Sequence, residues 1–301
     1  MPKARVNGVE ISYEVQGEGV PTLFIHGGFG GPASTLAPQE RAVKSILKHD
    51  AIQLITYDRR CAGQSEYVLD DYSLVDLAGD ARALLAHLGI EQSIVIGDSM
   101  DGMVALEYAL AYPIKVVALC LLETGADLMS ETTFGKQGRE LVERARREGD
   151  RALFAARKEQ LRNPTAPAEV PGRTEEMRAR AGAQREALLP ALATMSEEDL
   201  FRYSTGMIHN YAAFLGFNFL PRLNSLRMPV CIIHGNADTT VPFAYGKALH
   251  AAIPLSEFHE IPEAIHGVLA FPAAAEALRE WVLRMVARER PAAAGAARAR
   301  R

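Results

Sequence analysis

The sequence predicts an α/β protein in which helices cover both faces of a mostly parallel central sheet. Short apolar runs alternate with helical patterns over the first 122 residues and again from about 228 to 287, which is typical of such sheets. With 301 residues, 48% of them apolar, the chain is long enough for a large core and one inserted domain. We expect a core domain of residues 1–123 and 227–288, a helical cap of residues 124–226 and a disordered tail of residues 289–301.

The strand patterns distinguish the edge of the sheet from its centre. Residues 8–16 alternate apolar and polar side chains with period two, which predicts an exposed edge hairpin. The later runs are short and mostly apolar, as buried parallel strands are. These buried strands are predicted at Thr22–Ile25, Ile52–Tyr57, Ile94–Ile96 and Val116–Leu122.

Helical spacing occupies the stretches between strands and the predicted cap, which we call the helical insertion (residues 124–226). Helices are predicted over 73–88, with Ser73 as the N-cap, and over 102–111. The insertion is rich in Arg, Glu and Ala and predicts several helices separated by a Pro-containing loop at 163–171. We expect it to supply most of the wall of a ligand pocket.

The segment Val95–Gly102 is the most informative in the chain. It reads Val-Ile-Gly-Asp-Ser-Met-Asp-Gly, so a buried strand passes through small residues into a helical pattern. A serine hydroxyl becomes a useful nucleophile where such a turn exposes its oxygen and the helix N-terminus points backbone N–H groups at a developing negative charge. We therefore predict a nucleophile elbow that presents Ser99.

Two later segments supply an acid and a base. The buried strand after Pro229 ends in a turn that carries Asp238, and the strand around Phe258 leads to His266. Both fall at the carboxyl end of the predicted sheet, where ligands of open α/β folds bind. The chain order serine, aspartate, histidine predicts a catalytic triad of Ser99, Asp238 and His266.

Other residues are alternatives for these roles. Glu123 and Asp127 follow the strand before the helical insertion, and either is an alternative acid. An aspartate nucleophile at Asp98 would indicate a dehalogenase or epoxide hydrolase, but Asp98 stands one position too early in the elbow. His26 and His234 are interpreted as structural hydrogen-bonding residues.

Four further segments have a family pattern. His26–Gly30 follows a strand, Tyr57–Ser65 reads Tyr-Asp-Arg-Arg-Cys-Ala-Gly-Gln-Ser, and His234–Asp238 and His266–Gly267 carry the acid and the base. Together with the elbow, they resemble the oxyanion loop, the D-x-R-G-x-G-x-S segment, the acid loop and the histidine loop of the α/β-hydrolase superfamily. The resemblance covers roughly residues 5–287 and implies the α/β-hydrolase fold with a helical cap.

The resemblance also implies a chemistry, which is acyl transfer to water by a serine hydrolase similar to esterases and lactonases. It places the oxyanion hole at the backbone N–H groups of Met100 and of Gly28 or Phe29. It implies no metal, nucleotide or flavin cofactor. Hydrolysis of carbon–carbon bonds, a proline iminopeptidase-like activity and perhydrolysis use the same triad and remain alternatives, as does a ligand-binding receptor without turnover.

The sequence departs from the family pattern at three positions. Asp101 stands where many members have glycine two residues after the nucleophile, and Cys61 and Ile265 also replace common glycines. We interpret Asp101 as a helix-start residue that points away from the site, with substrate binding or tuning of His266 as the alternative. The family glycine predicts that Asp101→Gly keeps or raises turnover.

Substrate contacts are predicted on the helical insertion, where apolar and aromatic side chains are frequent. Such side chains would suit a small to medium hydrophobic ester or lactone, although each is also a candidate for the insertion's own core. The predicted substrate-binding residues are Asp101, Tyr203, Met207, His209 and Phe214.

The composition limits which binding partners, cysteine sites and cellular locations are expected. The net charge of −4 gives no reason to expect nucleic acid or an anionic membrane. The three cysteines are far apart, and two lie in apolar runs, which disfavours disulfide and zinc sites. No run of about 18 apolar residues and no signal peptide is evident, so we expect a cytoplasmic protein, monomeric or homodimeric, that binds a small-molecule substrate.

Overall fold

The central sheet is mixed only at one edge. A computed structural model describes residues 1–28, 38–164 and 175–299, and within these ranges eight strands form one sheet in the order β1-β2-β4-β3-β5-β6-β7-β8. β2 pairs antiparallel with β1 and β4, and all other neighbours are parallel. The strands are β1 Lys3–Val6, β2 Val9–Gln16, β3 Val20–Ile25, β4 Ile52–Tyr57, β5 Ser93–Asp98, β6 Val116–Leu122, β7 Val230–Gly235 and β8 Ser256–Ile261.

Helices cover both faces of the sheet and fill the segment between β6 and β7. Side chains alternate across each strand, so Leu23 and Ile25 of β3 pack against one set of helices while Phe24 packs against the other. The helices are α1 Pro38–Ile46, α2 Leu74–His87, α3 Gly102–Ala111, α4 Thr133–Glu148, α5 Asp150–Arg162, α6 Glu175–Thr194, α7 Glu197–Phe214, α8 Ala244–Ala252 and α9 Pro272–Ala299.

The predicted fold class is confirmed, and the predicted buried strands and the helices over 73–88 and 102–111 agree with the observed ones to within two residues at each end. The edge hairpin predicted at residues 8–16 is corrected, because this segment forms the single strand β2 between β1 and β4. Ser73 is the N-cap of α2, and its backbone N–H donates to the Asp76 carboxylate at 2.8 Å, as in a capping box. Most of the Pro-containing loop predicted at 163–171 lies outside the described residues. All three cysteines are buried and free.

The chain's last helix, α9, differs from the sequence prediction. It continues to Ala299, whereas the sequence predicts a disordered tail over 289–301. Alanine and arginine, which dominate this stretch, have high intrinsic helix propensity, whereas Pro291 and Gly295 within it do not. Within the part of the chain that the structure describes, no helix combines the length and the apolar character needed to cross a membrane.

The helical insertion has small cores of its own. Val142 and Ala145 of α4 pack with Leu153 of α5 and Ile208 of α7. The division of the chain into a core domain and a cap at residues 124–226 stays a prediction.

Candidate active site

The turn after β5 has the strained geometry of a nucleophile elbow. Ser99 has φ +50°, which is unfavourable for a residue with a side chain, and begins a short 3-10 helix, Ser99–Asp101, that leads into α3. Gly97 makes the sharp turn possible, because a Cβ there would lie 2.5 Å from the Cβ of Ala105. The backbone therefore holds Ser99 in the position that the sequence predicts.

Three residues from the carboxyl edge of the sheet form a hydrogen-bonded chain. Ser99 Oγ lies 3.0 Å from His266 Nε2, and His266 Nδ1 lies 2.8 Å from Asp238 Oδ2. Ser99 follows β5, Asp238 follows β7 and His266 follows β8. Asp238 is fixed from behind, since its Oδ1 accepts the backbone N–H groups of Thr240 and Val241 at 2.8 and 2.9 Å. The structure thus brings together all three residues of the predicted triad.

The electrostatic environment of these three residues favours an ionised Asp238 beside a strongly basic His266 imidazole. Burial alone would raise the pKa of Asp238, but His234 and His266 lower it to about 2. Burial lowers the pKa of His266, but the carboxylates of Glu123 and Asp238 outweigh that effect and raise the pKa to about 9. An imidazole with this pKa is a good proton acceptor once it has become neutral.

A second carboxylate, that of Glu123, lies on the same side of the imidazole. Its Oε2 is 3.8 Å from His266 Nδ1 and accepts the backbone N–H groups of Gly267 and Val268 at 2.8 and 2.7 Å. Burial raises the pKa of Glu123, and the charge of His266 opposes that rise. The other alternative acid, Asp127, accepts backbone N–H groups of Met129 and Ser130, both at 3.1 Å, in the turn that begins the helical insertion.

The alternative nucleophile, Asp98, is buried behind the elbow. A Cβ on Gly27 would lie 2.8 Å from both Asp98 Oδ2 and the Cβ of Ser99, so the loop after β3 packs tightly against this turn. Burial raises the pKa of Asp98 well above its usual range, and the Glu123 carboxylate adds to the effect. Ser99, and not Asp98, is the residue of the elbow whose side chain contacts His266.

The predicted oxyanion donors are placed only in part. Met100 lies in the 3-10 helix directly after Ser99, where backbone N–H groups at the start of a helix are available to an anion. Gly28 adopts φ +109°, a conformation that favours glycine, next to the elbow. Phe29 lies outside the described residues. The oxyanion role of these groups stays a prediction.

Asp101 is not free to bind a substrate cation, because it forms a buried ion pair with Arg59. Arg59 Nε donates to Asp101 Oδ2 at 2.5 Å, and both side chains are at most 1% exposed. The remaining Arg59 donors bind the carbonyl oxygen of Gly28 and the side-chain oxygen of Asn210 in α7. Burial raises the pKa of Asp101 to about 6, and Arg59 limits that rise. Asp101 does stand at the start of α3, at its N-cap position, but its carboxylate binds Arg59 and makes no capping hydrogen bond.

Sequence reasoning missed Arg59. It occupies the variable position of the D-x-R-G-x-G-x-S pattern, and the pattern's own arginine, Arg60, instead binds Asp80 at 2.6 and 2.7 Å. The available signal was one departure, the aspartate at 101, together with a second arginine at 59 beside the pattern's own; both side chains prove to be buried. Only the fold shows that these two side chains meet.

The other predicted substrate contacts have structural partners. The Phe214 ring lies 5.8 Å from the Arg59 guanidinium and is fully buried. His209 Nδ1 lies 3.1 Å from the Asp70 carbonyl oxygen, and Met207 is half-buried on α7. Tyr203 lines a pocket of about 380 Å³ whose lining includes neither Ser99 nor His266. This pocket is lined by Gly63, Glu66, Tyr67, Met195, Asp199, Arg202 and Tyr203. The roles of Phe214, His209, Met207 and Tyr203 in substrate binding stay predictions.

One group of side chains in the described part of the chain has the spacing of metal ligands. Glu123, Asp238 and His266 place one ligand-type atom each within 4.8 Å of one another. Both carboxylates, however, already accept two backbone N–H groups each. We interpret the group as acid–base machinery for Ser99.

Comparison with known proteins agrees with this fold. The family described as "alpha/beta hydrolase fold" matches residues 21–272. The chain therefore belongs to the α/β-hydrolase family, as the sequence motifs predict. A putative carbamate hydrolase RutD of Azorhizobium caulinodans is 28% identical over 272 residues, which is 90% of this chain and 93% of that protein.

Solved structures agree as well. A thermophilic esterase from Thermogutta terrifontis has a TM-score of 0.67 at 22% identity and covers 95% of this chain and 99% of its own. The enol-lactonase from Burkholderia xenovorans LB400 has a TM-score of 0.66 at 23% identity, with 95% and 100% covered. These relatives and neighbours are hydrolases, and the likeness to the two structures concerns the fold.

Proposed function

We propose that the protein is a serine hydrolase that cleaves a carboxylic ester or lactone of a small to medium hydrophobic substrate. The observation that carries this proposal is the continuous hydrogen-bond path from Ser99 Oγ through His266 to Asp238, with distances of 3.0 and 2.8 Å. Such a path links a nucleophile, a base and an acid that orients the base.

The reaction proceeds through an acyl-enzyme. Ser99 Oγ attacks the carbonyl carbon while His266 Nε2 takes the hydroxyl proton, and Asp238 stabilises the imidazolium that results. The carbon–oxygen bond of the substrate then breaks, and the leaving alkoxide takes the proton from His266. Water next attacks the acyl-enzyme, gives its proton to His266 and releases the acid, and that proton returns to the Ser99 oxygen.

The negative charge of each tetrahedral intermediate needs donors beside Ser99. We assign them to the backbone N–H of Met100 and to the backbone N–H of Gly28 or Phe29. A single such donor contributes about 10²–10³ in rate. No step of this scheme draws on a metal or an organic cofactor.

The bond class is supported by the chemistry of the leaving group and by the neighbouring hydrolases. An alkoxide from an ester or lactone needs only the proton that His266 already carries. An esterase and an enol-lactonase are among the proteins with this fold. A carbamate is the second candidate, because the relative that matches 90% of this chain is named a putative carbamate hydrolase.

The test is a panel of p-nitrophenyl esters from acetyl to decanoyl, several lactones and an aryl carbamate. We compare the wild type with Ser99→Ala and with the control Ser225→Ala, which removes an exposed hydroxyl. Loss of the nucleophile is expected to lower kcat by about 10⁶, with the control unchanged. The preferred substrate then separates esters, lactones and carbamates.

Two results would contradict the proposal. Turnover that persists in Ser99→Ala would show that another group attacks the substrate. Absence of turnover on the whole panel, together with no labelling of Ser99 by a fluorophosphonate, would indicate a ligand-binding receptor of the same fold.

A further inference from the structure

Glu123 has contacts that a simple structural carboxylate does not need. Its side chain is fully buried at the end of β6, and its backbone has φ +39°, an unfavourable conformation for a non-glycine residue. One oxygen, Oε2, holds the backbone N–H groups of Gly267 and Val268 and also faces His266 Nδ1 at 3.8 Å. The other oxygen, Oε1, is buried and has no hydrogen-bond partner among the residues that the structure describes.

From this geometry we infer that Glu123 is a positioning residue that holds the His266 loop and, together with Asp238, makes a two-carboxylate environment that sets the pH at which Ser99 becomes a nucleophile. The inference rests on the proposed serine-hydrolase mechanism. It adds to that mechanism a residue that does not touch the substrate.

The anchoring role of Glu123 follows from the positions of the two backbone N–H groups that its carboxylate accepts. Gly267 and Val268 come directly after His266, so the two N–H bonds at 2.8 and 2.7 Å fix the backbone next to the base. Gly267 adopts φ +95°, which gives the loop a sharp turn that needs such support. The ring of His266 therefore depends on two carboxylates, Asp238 for the Nδ1 hydrogen bond and Glu123 for the loop.

The electrostatic part follows from the charges that face the ring. His266 is surrounded by Glu123 after β6, Asp238 after β7 and Asp98 at the end of β5, while His234 lies behind Asp238 at 3.6 Å. Burial and the Glu123 carboxylate raise the pKa of Asp98 well above its usual range, and of the three carboxylates Asp98 favours the imidazolium least. Glu123 and Asp238 make the two larger contributions that stabilise the imidazolium, and both act across a few ångströms of low-dielectric interior.

This arrangement is expected to lower the rate of the reaction at neutral pH. The base must lose a proton before it can accept the one from Ser99, and the pKa of His266 is raised to about 9. Below that pH, the rate of Ser99 attack is expected to rise about tenfold for each pH unit. The enzyme is therefore expected to work best under alkaline conditions.

The Glu123→Gln variant separates charge from anchoring. A glutamine carbonyl can accept the same two N–H groups, and its NH₂ takes the place of the unpartnered Oε1, so the loop stays anchored while the charge is removed. The control is Glu131→Gln, which removes an exposed carboxylate paired with Lys136. Glu123→Ala removes both the charge and the anchor.

The measurement is an NMR titration of the His266 ring, assigned with a His266→Gln variant. It needs no substrate, so it also decides the inference if the proposed function fails. We expect the wild type to titrate near pH 9, the control likewise and Glu123→Gln at least one unit lower. A matching shift is expected in the pH midpoint of fluorophosphonate labelling of Ser99, and the plateau rate is expected to fall further in Glu123→Ala than in Glu123→Gln.

An unchanged His266 titration in Glu123→Gln would overturn the inference. Should that variant fail to fold, Asp238→Asn decides, because Glu123 then makes the largest remaining contribution. A midpoint above the ordinary imidazole value of about 6.5 supports the inference, and one at or below it contradicts the inference. Failure of the proposed function looks different, because Ser99 then resists labelling at every pH while the NMR shift persists.

Discussion

At the scale of single residues, the pair Arg59 and Asp101 changes what substitution at position 101 should do. From the family pattern alone, glycine at that position is harmless or beneficial. In the structure, Asp101 neutralises a guanidinium that is 1% exposed, and Arg59 also holds the Gly28 carbonyl next to the elbow. Removal of one partner of a buried pair is strongly destabilising, because the other charge is left uncompensated.

We therefore predict that Asp101→Gly lowers the free energy of unfolding by about 3–5 kcal/mol and also lowers turnover. Urea unfolding followed by the fluorescence of Trp281, together with ester hydrolysis, checks both effects. The matched control is the double variant Arg59→Met with Asp101→Leu, which removes both charges and is expected to be the more stable of the two. Wild-type stability in Asp101→Gly would show that the pair contributes nothing.

The residues of the site differ in how far the sequence predicts them. Ser99, Asp238 and His266 stand at the ends of recognisable strands, and their order along the chain limits how they combine. Arg59 could not be assigned in this way, because its bonds reach residues 31, 42 and 151 positions away. No local pattern encodes such contacts.

At the scale of elements, the junction of β5 and α3 depends on close packing more than on any polar contact. Gly97 faces Ala105 so closely that an added methyl group would overlap it at 2.5 Å. The other atoms nearest to that methyl group are backbone atoms, the Cα of Gly102 at 2.8 Å and the carbonyl oxygen of Asp101 at 3.0 Å. The overlap therefore cannot be relieved by a rotamer change. The turn that presents Ser99 must move instead.

We predict that Gly97→Ala lowers the free energy of unfolding by about 1–3 kcal/mol and lowers kcat more than KM, because the elbow shifts. Gly182→Ala is the control, since nothing lies within 4 Å of a Cβ there and the residue lies inside α6. That change is expected to leave kcat unaltered and to stabilise the helix slightly. Equal effects of the two changes on kcat would refute this account of the elbow.

Sequence periodicity predicted where strands and helices lie along the chain, but not which residues of other elements each of them contacts. The helical spacing that places Gly206 and Asn210 in one helix says nothing about what they touch. In the structure, a Cβ on Gly206 would lie 3.0 Å from Cys61, and Asn210 donates to the Cys61 carbonyl at 3.2 Å. α7 thus packs on the loop after β4. Cys61, which replaces a common glycine of the family pattern, faces Gly206, and the missing side chain of Gly206 leaves room for it.

At the scale of the whole molecule, the two faces of the sheet have separate cores. Trp281 of α9, the chain's single tryptophan, is buried on the face that also includes Phe24 and Leu278. Met100 and Phe214, beside the candidate site, belong to the core on the other face. Fluorescence and activity therefore report on different parts of the fold.

We predict that Asn210→Ala loosens the helical insertion from the sheet without unfolding the core around Trp281. Asn210 accepts from Arg59 and donates to Cys61, and each buried group left unpaired costs about 1–3 kcal/mol. In urea, hydrolytic activity should disappear at lower concentrations than the native fluorescence of Trp281. Asn224→Ala, at an exposed position, serves as the control, and coincident transitions in Asn210→Ala would contradict the prediction.

The buried pair of Arg59 and Asp101 also constrains how this chain can change over time. A lineage that gains or loses the arginine and the aspartate in separate steps passes through a protein with one uncompensated interior charge, at a penalty of about 3–5 kcal/mol. Since most domains have a total stability of only about 5–15 kcal/mol, that intermediate survives only in a background with stability to spare. The two positions are therefore epistatic, and a glycine at 101 is tolerated readily only where Arg59 has been replaced as well.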